Sequence, residues 1–401
     1  MDLDQLIRLV QASDAVALMG AGLSYDAGMP LANELPPILW KSFDEHPDER
    51  SALATDLGVV DGPSPVLIGN NGDRTTKAFQ RVAQREPLRK TFQTSFRALD
   101  HARSALRSPV HDAVARLMYN RKIELAISLN WDSLLETAYR RRYGPPINVP
   151  HQRLYKPHGD VLNLVATWTL PGEQIRMPDA PMDRLDAMVR ERPRVLLVVG
   201  YREADETVVK QIVQPLEQRW QVVRLSLTAR GANALAALAG DVLPAVADRL
   251  CRSSEHRGWE FVSFSDQRDL GPAIAGERLG PADVTACPRL PHVDDLVKQL
   301  AQSHVGRMEG LPGSGKSISA YQTAYEQMSE GFHVLRLTEP PTPDAALESF
   351  LVARGRLLFL FDDVQRYSAG FLRALQENAT ADRKVLLIGT ELQTGTSTAI
   401  R

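Results

Sequence analysis

Cysteine is scarce in this chain of 401 residues. Its two cysteines, Cys251 and Cys287, are far apart in sequence and lack the paired spacing of a zinc site. Two isolated thiols also provide no disulfide framework, which favours a reducing compartment. We therefore expect no zinc site, no structural disulfide and a cytoplasmic location.

Long apolar runs and an excess of one charge are also missing. No apolar segment approaches the ~20 residues that span a bilayer, and the N-terminus is acidic where a secretory signal is basic. The formal net charge of -2 predicts neither membrane nor nucleic-acid binding. An arginine-rich helical segment over 74–122 is typical of a solvated helix face. It leaves contact with a partner subunit or phosphates, and a weaker salt-sensitive nucleic-acid role, as alternatives.

What the sequence does contain is a series of short apolar strands that alternate with helical patterns. The predicted strands are 15–19, 123–129, 194–199 and 221–227, and then 305–309, 333–337, 357–361 and 385–388. This alternation predicts an α/β fold with an N-terminal doubly wound, Rossmann-like parallel sheet and a second α/β domain. We expect the first domain over 1–252, a linker over 253–289 and the second domain over 290–401.

Polar or glycine motifs occur at four places in the first domain that we assign to strand ends. They are Gly20-Ala21-Gly22-Leu23-Ser24, Asn130-Trp131-Asp132, His158-Gly159, and Gly200-Tyr201 with Asp205. The carboxyl ends of parallel strands converge on one crevice, and a glycine turn lets backbone N–H groups approach a pyrophosphate. Each motif alone also fits a tight turn or a helix cap. Their joint occurrence favours a dinucleotide site.

These motifs resemble those of the sirtuin family, in the family order, over residues 1–252. Gly20–Ser24 with Gly28-Met29-Pro30 resembles the phosphate loop, residues 128–132 the Thr-Gln-Asn-Ile-Asp motif, and residues 156–159 the Leu-His-Gly motif. The glycine turn at Gly200 resembles the ribose-binding turn. The resemblance implies NAD binding by Gly20, Ala21, Gly22, Ser24, Gly200, Tyr201 and Asp205.

Two departures from the family refine the expected activity. No cysteine lies between His158 and Gly200, where sirtuin deacylases carry a four-cysteine zinc module. Residues 31–35 resemble the bacterial defence-associated branch, which is similar to NAD glycohydrolases. Such an enzyme cleaves NAD through an oxocarbenium-like state. We expect His158 to be the base, Asn130 to orient water or the ribose, and Asp132 to hold the carboxamide or stabilise positive charge.

The second domain contains the phosphate-loop pattern G-x-x-x-x-G-K-S between a strand and a helix. The predicted ligands of ATP or ADP with Mg²⁺ are Gly310, Gly313, Gly315, Lys316, Ser317, Asp362 and Asp363. Among them, Ser317 and Asp362 are the expected magnesium ligands, because a hydroxyl and an acidic strand end hold Mg²⁺ at such loops. ATP hydrolysis is a further expectation.

This half resembles the STAND-type P-loop NTPases over about residues 290–401. The sequence stops soon after the fourth strand, so we expect an incomplete domain. The two resemblances together imply an effector of bacterial antiviral defence by abortive infection. It would form a homo-oligomer, a tetramer or larger, in response to a phage-derived trigger. The alternatives are an NAD-dependent protein deacylase and a sensor that binds NAD or ADP-ribose without turnover.

Overall fold

The structure is a computed structural model. It describes residues 1–31, 34–41, 43, 46–57, 72–147, 153–162, 168–170, 173, 179–202, 206–251, 259–264, 267–337, 343–353 and 355–389. The chain forms two compact units. The first unit is Met1–Ala138 with Arg153–Arg252, and the second is Tyr139–Gln152 with Ser253–Arg401. Within the described ranges, no helix combines the length and apolarity that crossing a membrane requires.

A six-stranded sheet forms the centre of the first unit. Its strands are β1 (Ala15–Met19), β2 (Ile123–Ser128), β3 (Leu154–Tyr155), β4 (Val195–Val199), β5 (Gln221–Leu225) and β6 (Ala234–Leu235). Their order is β3-β2-β1-β4-β5-β6, and every pair is parallel. This is the strand order of the doubly wound Rossmann fold. The predicted α/β architecture with a parallel sheet is therefore confirmed.

The strand register brings three chain reversals to one level of the sheet. Met19 at the end of β1 pairs with Ser128 at the end of β2 and with Val199 at the end of β4. The core strands β1 and β4 are buried along their whole length, as continuous apolar runs between two covered faces must be. The turns that follow β1, β2 and β4 consequently begin side by side.

Helices precede, separate and follow these strands along the chain. They are α1 (Leu3–Ser13), α2 (Leu35–Lys41), α3 (Pro47–Leu57), α4 (Gly72–Ala83), α5 (Glu86–Ser104), α6 (Pro109–Tyr119), α7 (Leu134–Tyr143), α8 (Asp179–Glu191), α9 (Glu206–Val208), α10 (Gln214–Glu217) and α11 (Ala239–Cys251). A π-helical turn, Val209–Val213, joins α9 to α10. α1 begins at a capping box, in which Asp2 accepts from the Gln5 amide and the Gln5 side chain accepts from the Asp2 amide.

The second unit contains a five-stranded sheet. Its strands are β7 (Trp259–Phe261), β8 (Val305–Glu309), β9 (His333–Leu337), β10 (Leu357–Phe361) and β11 (Arg383–Gly389), in the order β7-β9-β10-β11-β8. Its helices are α12 (Gly271–Ile274), α13 (His292–Gln302), α14 (Lys316–Ser329), α15 (Pro343–Val352) and α16 (Ala369–Glu377). The strands β8 to β11 are mutually parallel, whereas β7 pairs antiparallel with β9.

Described parts of the segment 253–289, expected to be a linker, lie in the core of the second unit. The segment contains β7, whose Trp259 ring lies edge-on to Phe359 and Phe361 at centroid distances of 4.6 and 5.2 Å. The Trp259 indole N–H donates to the carbonyl of Ala346 at 3.3 Å. An edge strand anchored by one large aromatic side chain is too short to give a periodic sequence signal.

Candidate functional site

Two glycine turns meet where β1 and β4 end. The Gly20 amide donates to the Val199 carbonyl and the Gly22 amide to the Gly200 carbonyl, both at 2.9 Å. Gly200 has a φ of +59°, and a Cβ at this position would lie 2.4 Å from the Leu23 nitrogen. The two turns thus pack backbone against backbone, and only glycine fits at residue 200.

Asn130 and Ser24 connect the turn after β1 to the turn after β2. The Asn130 amide nitrogen donates to the Gly20 carbonyl and to the Ser24 hydroxyl, both at 3.1 Å. Ser24 is 1% exposed and Asn130 is 9% exposed, so water does not compete for these bonds. Two residues predicted from separate motifs therefore belong to one hydrogen-bond network.

His111 joins the same network and was missed by sequence reasoning. It lies on α6, with Nε2 3.2 Å from the Ser24 hydroxyl and Nδ1 2.7 Å from the Ser108 hydroxyl. Burial, with a smaller contribution from the charge of Lys156, lowers the pKa of His111 to about 3. The imidazole is therefore neutral at pH 7. The sequence feature that could have indicated this role is the position of His111 between the apolar residues Val110 and Val114 on a predicted helix.

Asp132 is buried beside the same serine. Its carboxylate accepts from the Leu134 amide at 3.3 Å and is hydrogen-bonded to the Ser24 side chain. Burial raises the pKa of Asp132, although the positive charge of Lys156 opposes this shift. The carboxylate is thus a high-energy anion that a positive charge in the site would stabilise.

Lys156 is the cation that balances this cluster. Its ammonium group donates to the Asp132 carbonyl at 2.5 Å and to the Glu136 carboxylate at 2.8 Å, and lies 3.3 Å from the Asp160 carboxylate. Burial opposes the charge of Lys156, but attraction to Glu136 and Asp160 outweighs it, so that the pKa of Lys156 is raised. Lys156 therefore stays protonated and ties α7 to the turn that carries His158.

The His158 turn is held by aromatic packing. His158 Nδ1 lies 2.9 Å from the Leu129 carbonyl, the residue just before Asn130. The Trp131 indole donates to the His158 carbonyl at 3.0 Å and stacks on Trp168 at a centroid distance of 5.5 Å. Because a carbonyl only accepts, Nδ1 carries the proton in the neutral ring, and Nε2 is the basic nitrogen.

Three further residues were predicted to bind NAD, and the structure describes two of them. Ala21 lies in the short 3₁₀ turn Ala21–Leu23 that follows Gly20. Tyr201 packs at the edge of the apolar core next to Gly20. Asp205 lies outside the described residues, and its predicted contact with the ribose stays a prediction.

A cavity of about 220 Å³ opens beside this network. Asp26 and Gly28 from the glycine turn, Arg103 and Arg107 from the end of α5 and the residues after it, and Ser108 all line it. Ser108 is also the residue that contacts His111. Two guanidinium groups therefore border the hydrogen-bonded cluster, and such a surface favours an anionic group.

The predicted phosphate loop of the second unit joins β8 to α14. Gly313 and Gly315 have φ values of +80° and +83°, in the left-handed region that glycine allows. A Cβ on Gly310 would lie 2.8 Å from the Ser314 hydroxyl, so the loop is tightly closed at its start. Lys316 begins α14, and its ammonium group donates to the Leu311 carbonyl at 2.7 Å.

The predicted magnesium ligands meet around one arginine. Asp362 and Asp363 follow β10 directly, and Asp363 has a φ of +60°. The Arg278 Nη2 atom lies 2.8 Å from an Asp362 carboxylate oxygen and 3.2 Å from the Ser317 hydroxyl oxygen. One serine hydroxyl and one carboxylate that share a cationic neighbour form a donor set suited to Mg²⁺. An adjoining cavity of about 400 Å³ is lined by residues that include Arg278, Tyr321 and Arg336.

Comparison with known proteins gives matches only among solved structures. No family model and no curated protein matches the chain. A Sir2 homologue mutant in complex with ADP-ribose is 18% identical with a TM-score of 0.39, covering 63% of this chain and 98% of that chain. A Sir2 homologue bound to NAD is 16% identical with a TM-score of 0.36, covering 63% and 95%. A Sir2 complex with an inhibitor, 2′-O-acetyl-ADP-ribose and a deacetylated peptide is 14% identical with a TM-score of 0.35, covering 61% and 98%.

Proposed function

We propose that the first unit is an NAD glycohydrolase that releases nicotinamide and ADP-ribose. The observation that carries this proposal is the bonding of Asn130 to both Gly20 and Ser24, which joins motifs far apart in sequence into one network. The Gly200 turn packs on the same glycines. A crevice at the carboxyl ends of the strands of an open α/β sheet is where such folds bind dinucleotides.

The residues of this network fit the chemistry of N-glycosidic cleavage. The bond between nicotinamide and C1′ of the ribose breaks, nicotinamide leaves with the bonding electrons, and positive charge develops on the ribose. Asp132 stabilises that charge, because a buried carboxylate is poorly solvated. Water then attacks C1′, with Asn130 orienting it and His158 Nε2 accepting its proton.

The cavity beside the glycine turn supports an anionic substrate. Arg103 and Arg107 carry two positive charges next to Asp26–Gly28 and Ser108. A pyrophosphate is a strong partner for guanidinium groups and for the backbone amides of a glycine turn. We assign the pyrophosphate of NAD to Gly20–Ser24, with these arginines as neighbouring counter-charges.

The test is NAD turnover by the purified chain, with and without ATP and Mg²⁺. Asn130→Ala and His158→Ala should each abolish nicotinamide release. His101→Ala is the matched control, because His101 is exposed on α5 and contacts none of these groups in the described structure. A chain that neither cleaves NAD nor binds it in a calorimetric titration would overturn the proposal.

Two other activities give distinct results in the same assay. A protein deacylase would release nicotinamide only with an acyl-lysine peptide and would form acyl-ADP-ribose. A sensor would bind NAD or ADP-ribose stoichiometrically and leave NAD intact. The buried carboxylate Asp132 beside Ser24 favours turnover, since a binding site has no need for an ill-solvated anion.

For the second unit we propose ATP or ADP binding with Mg²⁺. The left-handed glycines 313 and 315 leave the loop backbone open to phosphates, Lys316 supplies a positive charge, and Ser317 and Asp362 supply oxygen ligands. When bound, the magnesium ion would neutralise phosphate charge. Loss of fluorescent-ATP binding in Lys316→Ala would support this site, and unchanged binding would contradict it.

At the level of the whole protein, we propose a STAND-type defence effector. Nucleotide binding would assemble the chain into a tetramer or larger homo-oligomer after a phage-derived trigger, and assembly would activate NAD cleavage. The support is that a single chain carries both proposed sites, one for NAD and one for ATP or ADP. Light scattering with and without ATP and Mg²⁺, using Lys316→Ala as control, measures the assembly step. An unchanged mass under every condition, with a trigger extract included, would contradict it.

A further inference from the structure

Arg278 lies between the two elements that are proposed to hold the cation of the second unit. Its Nη2 atom contacts both the Asp362 carboxylate at 2.8 Å and the Ser317 hydroxyl at 3.2 Å. Its Nη1 atom lies 3.7 Å from the Asp363 carboxylate. A single guanidinium group therefore contacts side-chain oxygens from both the phosphate loop and the end of β10.

The backbone around Arg278 is held in place by a second arginine. Arg268 donates to Glu277 on one side at 2.9 Å and to Asp283 on the other side at 2.8 Å. Asp283 is fully buried and also accepts from the Gly280 amide at 2.8 Å. These contacts hold the backbone of residues 277–283 in place. The Arg278 side chain itself is 64% exposed, so it can leave the site without opening a cavity in the core.

We propose that Arg278 acts as an internal counter-cation that competes with the magnesium ion of the nucleotide for Ser317 and Asp362. This inference rests on the proposed nucleotide site of the second unit. One nitrogen atom of Arg278 already uses the two oxygens that a magnesium ion would need. Two cations on the same pair of oxygens repel each other, so Arg278 and a divalent ion exclude one another.

The competition has a functional consequence. With Arg278 engaged, its single positive charge offsets part of the negative charge of the two carboxylates that follow β10. Binding of magnesium and nucleotide must displace the guanidinium group, and it is therefore weakened by the strength of the Arg278 contacts. Arg278 consequently sets how much Mg²⁺ improves nucleotide binding. An arginine that contacted the phosphates would instead strengthen nucleotide binding, so the two roles predict effects of opposite sign.

The experiment measures the dissociation constant of a fluorescent ATP analogue for the full chain, in Mg²⁺ and in EDTA. The readout is the ratio of the constant in EDTA to the constant in Mg²⁺. In Arg278→Ala this ratio should rise about two- to fivefold, the size expected for losing partly exposed ion pairs. Arg278→Gln, which removes the charge but keeps an amide donor, should show a similar rise.

Arg366→Ala is the matched control. Arg366 is exposed and lies 3.5 Å from Asp363, with no contact to Ser317 or Asp362 among the described residues. Its ratio should equal that of the wild type. An unchanged ratio in both Arg278 variants, or weaker binding in Mg²⁺, would overturn the competition while leaving the nucleotide site intact. If no variant and no wild-type chain binds nucleotide in either buffer, the proposed nucleotide site itself fails.

Discussion

Acidification should destabilise the first unit through His111. The folded protein holds this imidazole neutral, with a pKa lowered from 6.5 to about 3, because it is buried between Ser108 and Ser24. An unfolded chain takes up the proton near the ordinary value. Between these two pKa values the unfolded state binds more protons, so the unfolding free energy falls as the pH falls.

The size of this effect follows from the same shift. Each pH unit in the window costs about 1.4 kcal/mol, and the whole shift corresponds to about 5 kcal/mol by pH 3. Well above pH 6.5 His111 is neutral in both the folded and the unfolded state, so it no longer makes the unfolding free energy depend on pH. Carboxyl groups such as Asp132, whose pKa is raised, act in the opposite direction over part of this range. The wild type must therefore be compared with a variant that lacks only the imidazole.

The variant is His111→Gln, which keeps a hydrogen-bonding side chain but does not titrate. We expect urea unfolding followed by tryptophan fluorescence to give a wild-type slope steeper than that of the variant by about 1.4 kcal/mol per pH unit between pH 6 and 4. Four of the five tryptophans, at 40, 131, 168 and 220, belong to the first unit and report its unfolding. Parallel stability curves for the two proteins would refute the buried, neutral state of His111.

Three further substitutions test the packing and charge of the first site. Gly200→Ala should cost more than about 2 kcal/mol of unfolding free energy and abolish NAD binding, because a Cβ there meets the Leu23 nitrogen at 2.4 Å; a calorimetric titration with unchanged affinity would contradict this. Lys156→Met should cost about 3–5 kcal/mol in urea unfolding, since Glu136 is left buried without its cation; near-wild-type stability would show that the cluster is solvated. Asp132→Asn should stop nicotinamide release without lowering the unfolding free energy, because burial disfavours the carboxylate; retained release would remove Asp132 from the mechanism.

Local sequence patterns determined most of the strands. Continuous apolar runs such as Val195–Val199 and Leu357–Phe361 coincide with β4 and β10, because a strand buried on both faces needs an unbroken apolar stretch. The glycine turn after β1 could also be predicted from the sequence, since close backbone approach excludes a side chain there. The Asn130–Ser24 contact followed from the rule that parallel strand ends converge.

Only the tertiary structure decided which other residues join these sites. His111 and Arg278 carry no motif, and their roles depend on packing against Ser24 and on contact with Asp362, which lie far from them along the chain. The strand Trp259–Phe261 likewise exists because β9 offers it a partner edge. A short segment encodes its own backbone preference and the pattern of its apolar face. Which side chains of other segments it meets is set by strand order and register, and these are properties of the whole fold.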